Sequence, residues 1–123
     1  MFSWGLNAQI ANPYPDADDA FGWRVAMDSD ATRIAVTSKW DDPVLSASGS
    51  TYIFKRTNNT WALEQHLVNS DAASGGTLAY FGSDVALNKD ATYAAIGAER
   101  YNNQGKLYIF NRSGTTWSQQ YST

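Results

Sequence analysis

The sequence predicts an all-β protein made of two copies of one four-stranded antiparallel unit, and three observations predict it. The stretch FGWRVAMDSDATRIAV from Phe21 returns as FGSDVALNKDATYAAI from Phe81. Both copies divide into short runs rich in β-branched and aromatic residues, separated by Gly, Asn and Asp. No segment carries apolar residues at the three-to-four spacing of an amphipathic helix.

Landmarks establish the repeat. Phe21-Gly22 matches Phe81-Gly82 and Asp30-Ala31-Thr32 matches Asp90-Ala91-Thr92, each sixty residues apart. Tyr52-Ile53-Phe54 matches Tyr108-Ile109-Phe110 and Trp61 matches Trp117, each fifty-six apart. A single four-residue length difference, between KWDDPVLSASG and ERYNNQG, accounts for the change.

Strands are expected over residues 22–28, 32–38, 50–56 and 60–67, and again over 82–88, 92–98, 106–112 and 116–121. In the first strand, alternation sets Phe21, Trp23, Val25 and Met27 on one face and Gly22, Arg24 and Ala26 on the other. Its copy sets Phe81, Ser83, Val85 and Leu87 opposite Gly82, Asp84 and Ala86. The second strands (IAV, AAIGA) are apolar on nearly every residue, as expected of a strand covered on both faces. Asn58-Asn59 and Ser113-Gly114 stand where strands three and four reverse, and both pairs tolerate the positive φ of a tight hairpin.

Composition bounds the function. At 123 residues the chain is domain-sized and able to bury a core. Its formal charge of -3 is scattered, with no Lys/Arg run to track a phosphate backbone, so nucleic acid is not an expected partner. The absence of cysteine excludes disulfides and thiolate chemistry. MFSWGLNAQIANPYP has neither a basic n-region nor a long apolar run, so it reads as neither a secretory signal nor a membrane span, and no membrane insertion is expected.

Such a unit cannot bury two faces alone, so the two must stack. Radial stacking gives a β-propeller; the alternative for eight strands is a β-sandwich, whose sheets have no reason to repeat each other's sequence.

The stretch YFGSDVALNKDATYAAIGAERYNNQGKLYIFNRSGTTWSQQ resembles the FG-GAP repeat family, with Phe81-Gly82, a VAL strand, an Asp-containing turn, Gly97-Ala98, YIF and a Trp-led outer strand. The first unit has Thr37-Ser38 where the second has Gly97-Ala98, and the resemblance covers residues 14–121. It implies propeller blades of the integrin α-head type, no reaction, and a place outside the cell or on a particle surface. The expected division is an N-terminal outer strand and linker (1–13), a first blade (14–70) and a second blade (71–123). SWGLNAQI, from Ser3 to Ile10, resembles TWALEQHL and TWSQQYS, hence the extra strand.

Propellers need roughly four to eight blades, and two leave faces open on both sides. The chain begins with Met and is expected to close a ring with copies of itself, a trimer of six blades being favoured. Arg24 and Asp84 occupy equivalent innermost positions and form a candidate inter-blade pair. DSDAT (Asp28, Asp30) and NKDAT (Asn88, Asp90) fall where some family members carry a calcium loop, but Ala and Thr follow the acids, so a turn closed by its own Asx side chain is preferred and no cofactor is expected. His66, the only histidine, has no partner that the sequence positions, and no catalytic motif is present, so no enzyme activity is expected. Trp4, Trp61 and Trp117 read as strand anchors rather than sugar platforms, whereas the unrepeated Trp23 and Trp40 are candidate partner contacts. The function expected is a structural and protein-interaction module, a component of a surface or virion assembly, with a carbohydrate-binding propeller lectin as the alternative.

Overall fold

The structure, a computed structural model, describes residues 4–123. Eight strands follow in order: β1 (Phe21–Met27), β2 (Arg33–Ser38), β3 (Ser50–Thr57), β4 (Thr60–Leu67), β5 (Phe81–Leu87), β6 (Tyr93–Ala98), β7 (Lys106–Ser113) and β8 (Thr116–Ser122). They make two four-stranded antiparallel sheets, β1-β2-β3-β4 and β5-β6-β7-β8, with every hydrogen-bonded neighbour adjacent in sequence. The two sheets do not close into a ring.

Local chemistry explains the hairpins. Between β1 and β2, Asp28 Oδ1 accepts from the backbone N–H groups of Thr32 and Arg33 at 2.9 and 3.0 Å, while Ala31 takes a positive φ of 55°. Asn88 repeats both bonds at Thr92 and Tyr93, 2.9 Å each, with Ala91 at 53°. Arg56 locks its turn by donating to the carbonyls of Ala31 and Asn58, and Arg112 does the same at Ala91 and Gly114. The β3–β4 and β7–β8 reversals place Asn58 and Gly114 at φ 56° and 62°, the conformation those residue types favour.

The β2–β3 and β6–β7 ladders run without interruption, whereas β1 and β5 are irregular near their starts. Between Phe21 and Val25 the register with β2 shifts, and between Phe81 and Asp84 that with β6 shifts. This corrects the simple alternation expected for β1, because a bulge adds residues to one strand and re-aims the side chains within it.

The sheets stack in one direction. The face of the second sheet bearing Phe81, Val85, Ile96, Tyr108 and Phe110 packs onto Ala35 and Ile53 of the first, in one cluster with Leu67 and Trp117. The corresponding face of the first sheet, with Phe21, Val36, Tyr52 and Phe54, forms a second cluster backed by Ile10, Trp61 and Leu63. Among the described residues no sheet covers that face. Val25 and Met27 are 60% and 51% exposed, whereas Val85, the counterpart of Val25, is 9% exposed. On the far side of the second sheet Tyr93, Leu107 and Tyr121 are also exposed.

Residues 4–10 form no strand, which corrects the expectation of an extra one; Ser3 lies outside the described residues. Trp4 and Leu6 are exposed, and only Ile10 joins the first sheet's cluster. A strand needs a partner edge, and among the described residues no strand hydrogen-bonds to these residues as a sheet neighbour.

Candidate functional site

The polar and aromatic groups concentrate on the seam between the sheets. Trp23 and Trp40 stack with ring centres 6.4 Å apart and an interplanar angle of 28°. Lys39 lies among them: its ammonium stands 3.7 Å from the Trp23 ring centre and 5.0 Å from that of Tyr80, and reaches Glu99 Oε1 at 3.4 Å. Lys39 is only 8% exposed, so its charge is stabilised by ring faces and a carboxylate in place of water.

Lys39 and Glu99 are sixty residues apart and occupy equivalent places in the two repeats. Opposite charges at equivalent positions therefore do meet across the seam, but at this pair. Arg24 instead lies with its guanidinium carbon 5.1 Å over Trp23 and donates to the Trp23 carbonyl, while Asp84 accepts from the Val85 N–H. The structure does not bring Arg24 and Asp84 together within the chain. The signal for Lys39 was present in the repeat, but adjacent Trp40 and the longer loop after it masked the match.

A second crossing joins β4 to the second sheet. Arg33 donates twice to Glu64, from Nε at 2.9 Å and Nη2 at 2.8 Å, and Glu64 Oε2 also accepts from the Trp117 indole at 2.8 Å. Burial pushes the Glu64 carboxyl up, but the bonds from Arg33 and Trp117 outweigh it and hold the group below its ordinary range. Beside it the Gln65 amide clamps the Trp117 backbone, donating to its carbonyl at 2.8 Å and accepting from its N–H at 2.7 Å.

A third centre is Asp71. It accepts from the Lys106 ammonium, from the Tyr108 hydroxyl at 2.7 Å and from the Asn69 amide at 3.0 Å. Burial raises its pKa, yet these bonds lower it further, to about 2. The folded value lies below the ordinary 3.8, so the stabilisation is complete above about pH 4 and is lost as pH falls toward 2. About 2 kcal/mol should disappear over that window in urea unfolding. The Asp71→Asn variant should show a correspondingly flatter acid limb; parallel limbs for the two proteins would remove Asp71 as the cause.

His66 has partners that the sequence did not reveal. Its ring stacks on Tyr52 at 4.4 Å, Nε2 lies 2.7 Å from Ser50 Oγ, and the same nitrogen is 4.0 Å from Asp41 Oδ2. Asp41 is engaged by the Tyr52 hydroxyl at 2.6 Å, and Ser50 is fully buried. Serine and acid thus face one nitrogen instead of opposite ones, and the hydroxyl cannot meet a substrate, so this is a packing arrangement and not a relay. Burial holds the imidazole below its ordinary pKa.

Among the described residues no three or more His, Cys, Asp or Glu side chains gather as a metal site, and no helix is long and apolar enough to cross a membrane. At the two Asp turns, Asp28 Oδ1, Asp30 Oδ1 and Asp90 Oδ1 accept from the turn's own backbone.

A comparison with the curated proteins finds no match. The family described as FG-GAP repeat matches twice, over residues 4–54 and 61–110. Each match opens on a tryptophan, Trp4 or Trp61, and closes on the phenylalanine of the YIF strand. The chain is thus an FG-GAP-repeat, largely β module, and neither a metal-binding cluster among its described residues nor a cysteine offers catalytic machinery. With both FG pairs at the starts of β1 and β5 and the matches spanning most of its length, the chain belongs to the FG-GAP repeat family.

Proposed function

We propose that the chain is a structural and protein-interaction module whose two sheets are blades of a β-propeller, completed head to tail by further copies of itself. One observation carries the reading: the two FG glycines have the same conformation and different surroundings. Gly82, at φ +97°, abuts the first sheet so closely that an added Cβ would lie 2.7 Å from the Ser50 carbonyl oxygen. Gly22, at φ +92°, has nothing within 4 Å. The first sheet thus presents the surface that the second buries, and the far side of the second sheet offers the complementary face.

Charge agrees with this occupant. A copy docked in the same direction would bring Arg24 toward the side of its neighbour that bears Asp84 and Glu99. A contact of this kind uses different surfaces on its two partners and closes into a ring when the rotation permits; three copies give six blades. Residues 4–10 hold toward the first sheet the place that β4 holds toward the second, with Ile10 in the position of Leu67, and in the ring they reach the neighbouring copy's outer edge. A ring with loop clusters at its ends suits a surface or virion assembly. Carbohydrate binding gains nothing from the repeated tryptophans that the sheets hold, since Trp117 is 3% exposed with its indole bonded to Glu64 and Trp61 is half-buried.

Light scattering coupled to size exclusion tests the assembly. The wild-type protein should run as a trimer, with or without a calcium chelator. Gly22→Asn should leave the protomer folded at a cost of about 1 kcal/mol and reduce it to a monomer, because a side chain would then stand where the next copy packs. A wild-type monomer at high concentration would overturn the proposal.

A further inference from the structure

Beside the Lys39 cage, on the loop side of the seam, a cleft of about 260 Å3 is lined by Trp40, Asp18, Asp42, Ser46, Leu78 and Tyr80, among others. It is formed within one chain, from the approach to β1, the β2–β3 loop and the approach to β5, so it does not depend on assembly. Its shape is set by backbone bonds: Leu78 N–H donates to the Ser46 carbonyl at 2.8 Å and Tyr80 N–H to that of Ala47 at 3.1 Å. Asp18, Ala47, Leu78 and Tyr80 all hold positive φ, at 65°, 49°, 65° and 61°. Non-glycine residues keep such angles only where their surroundings over-determine them, so the walls are preformed.

The chemistry of the lining is specific. One face of the Trp40 indole is covered by Trp23, yet the residue remains 43% exposed on the side of the cleft. Asp42 Oδ1 is tied to the Ala47 N–H, leaving its other oxygen free. Among the described residues, neither the Asp18 carboxylate nor the Ser46 hydroxyl bonds to another protein group. The site is therefore a flat apolar plate rimmed by acceptors and one hydroxyl.

Charge selects among ligands. Lys39 stands behind the Trp40 and Tyr80 rings, and the Arg100 guanidinium lies 5.8 Å over Tyr80. Lys39 is already paired with Glu99, so Arg100 offsets the two carboxylates only in part and a cationic probe is the competing ligand to test. A neutral ligand with one apolar face and a hydroxyl edge satisfies both the plate and the rim. The volume is below the roughly 300–1,000 Å3 of pockets that enclose drug-sized molecules, which suits one ring and not an extended chain.

We propose that this cleft binds a single neutral sugar ring, its C–H face on Trp40 and its hydroxyls donating to Asp18 and Asp42. Ser46 completes the rim. Binding to one open plate should be weak, in the millimolar range for a free monosaccharide, with useful affinity arising from several copies acting together on a multivalent glycan.

The test uses the full chain with 15N-labelled tryptophan, the Trp40 indole resonance being assigned through Trp40→Phe. Glucose, galactose, mannose and N-acetylglucosamine are titrated separately, with tri-lysine as a cationic probe. At least one sugar should shift the Trp40 resonance saturably. Followed at the indole of Trp23, which stacks on Trp40, Trp40→Ala should weaken that binding about tenfold or more, and Asp18→Asn should weaken it several-fold, with unchanged circular dichroism in both. Asp18 is exposed, so its variant stays informative if Trp40→Ala does not fold. The proposal is overturned if no sugar moves the Trp40 signal, if binding survives both substitutions, or if tri-lysine shifts Trp40 and the sugars do not, which would make the cleft a protein contact. The readout is the same for protomer and ring, so failure here leaves the assembly proposal standing, and the converse holds.

Discussion

Replacing Gly49 with alanine is expected to unfold the protein or to cost more than about 4 kcal/mol, placing it among the most damaging single substitutions a small domain admits. Gly49 takes φ +95°, and an added Cβ would lie 2.0 Å from the Phe81 carbonyl oxygen and 2.5 Å from the Phe81 nitrogen. Both are backbone atoms at the start of β5, and the Phe81 N–H is held by the Ser48 carbonyl at 2.9 Å. Relief would require the sheets to separate at the point where Phe81, itself fully buried, enters the shared core. Gly105, its counterpart before β7, is the internal control. Its φ is +86°, but the nearest atom to an added Cβ is the Glu99 carbonyl oxygen at 3.2 Å. Gly105→Ala should therefore cost only the backbone strain and a slight adjustment, about 1–2 kcal/mol. Urea unfolding of both variants checks the contrast. Equal and small losses would mean that the sheets do not approach this closely in solution.

The second large effect is expected at Glu64. Its side chain is 3% exposed and that of Arg33 8%, so removing the carboxylate leaves a buried guanidinium without a counter-charge and the Trp117 indole without an acceptor. Glu64→Ala should cost about 3–5 kcal/mol. Glu64→Gln retains a carbonyl for Trp117 but not the charge, and should fall between alanine and wild type. The combined change Arg33→Met with Glu64→Leu removes both charges together and should be better tolerated than Glu64→Ala alone, since an apolar pair of similar volume carries no desolvation cost. A Glu64→Ala protein within about 1 kcal/mol of wild type would show that water reaches Arg33.

The strands were legible because their causes are local. Side-chain alternation, Asn58 and Gly114 at the reversals and the Asp28 and Asn88 turns all act within a few residues, and every observed strand begins and ends within a residue of its expected place. Arg56 and Arg112 were legible in principle, since each follows its YIF triplet at the same distance, yet the carbonyls of Ala31 and Ala91 that they also reach lie more than twenty residues away. The irregularity in β1 was not readable, because a bulge leaves the alternating pattern of FGWRVAM intact while changing where Trp23 and Arg24 point. The seam is least legible of all. Arg24 and Asp84 satisfy the rule of opposite charges at equivalent positions as well as Lys39 and Glu99 do, and sequence offers no means of choosing between the pairs.

By itself the sequence determined two repeated four-stranded antiparallel sheets, the family to which they belong and the absence of a catalytic motif, because strand period, turn chemistry and repeat spacing are short-range properties of the chain. Only the tertiary structure decided that the sheets stack in one direction, that Gly82 is covered while Gly22 is bare, and that Lys39, Glu64 and Trp117 join the two halves. Those outcomes depend on sheet twist, on the bulges in β1 and β5, and on which face finds a partner. Two copies of nearly the same sequence thus acquire different surroundings because the second packs onto the first, whereas among the described residues no sheet packs onto the corresponding face of the first.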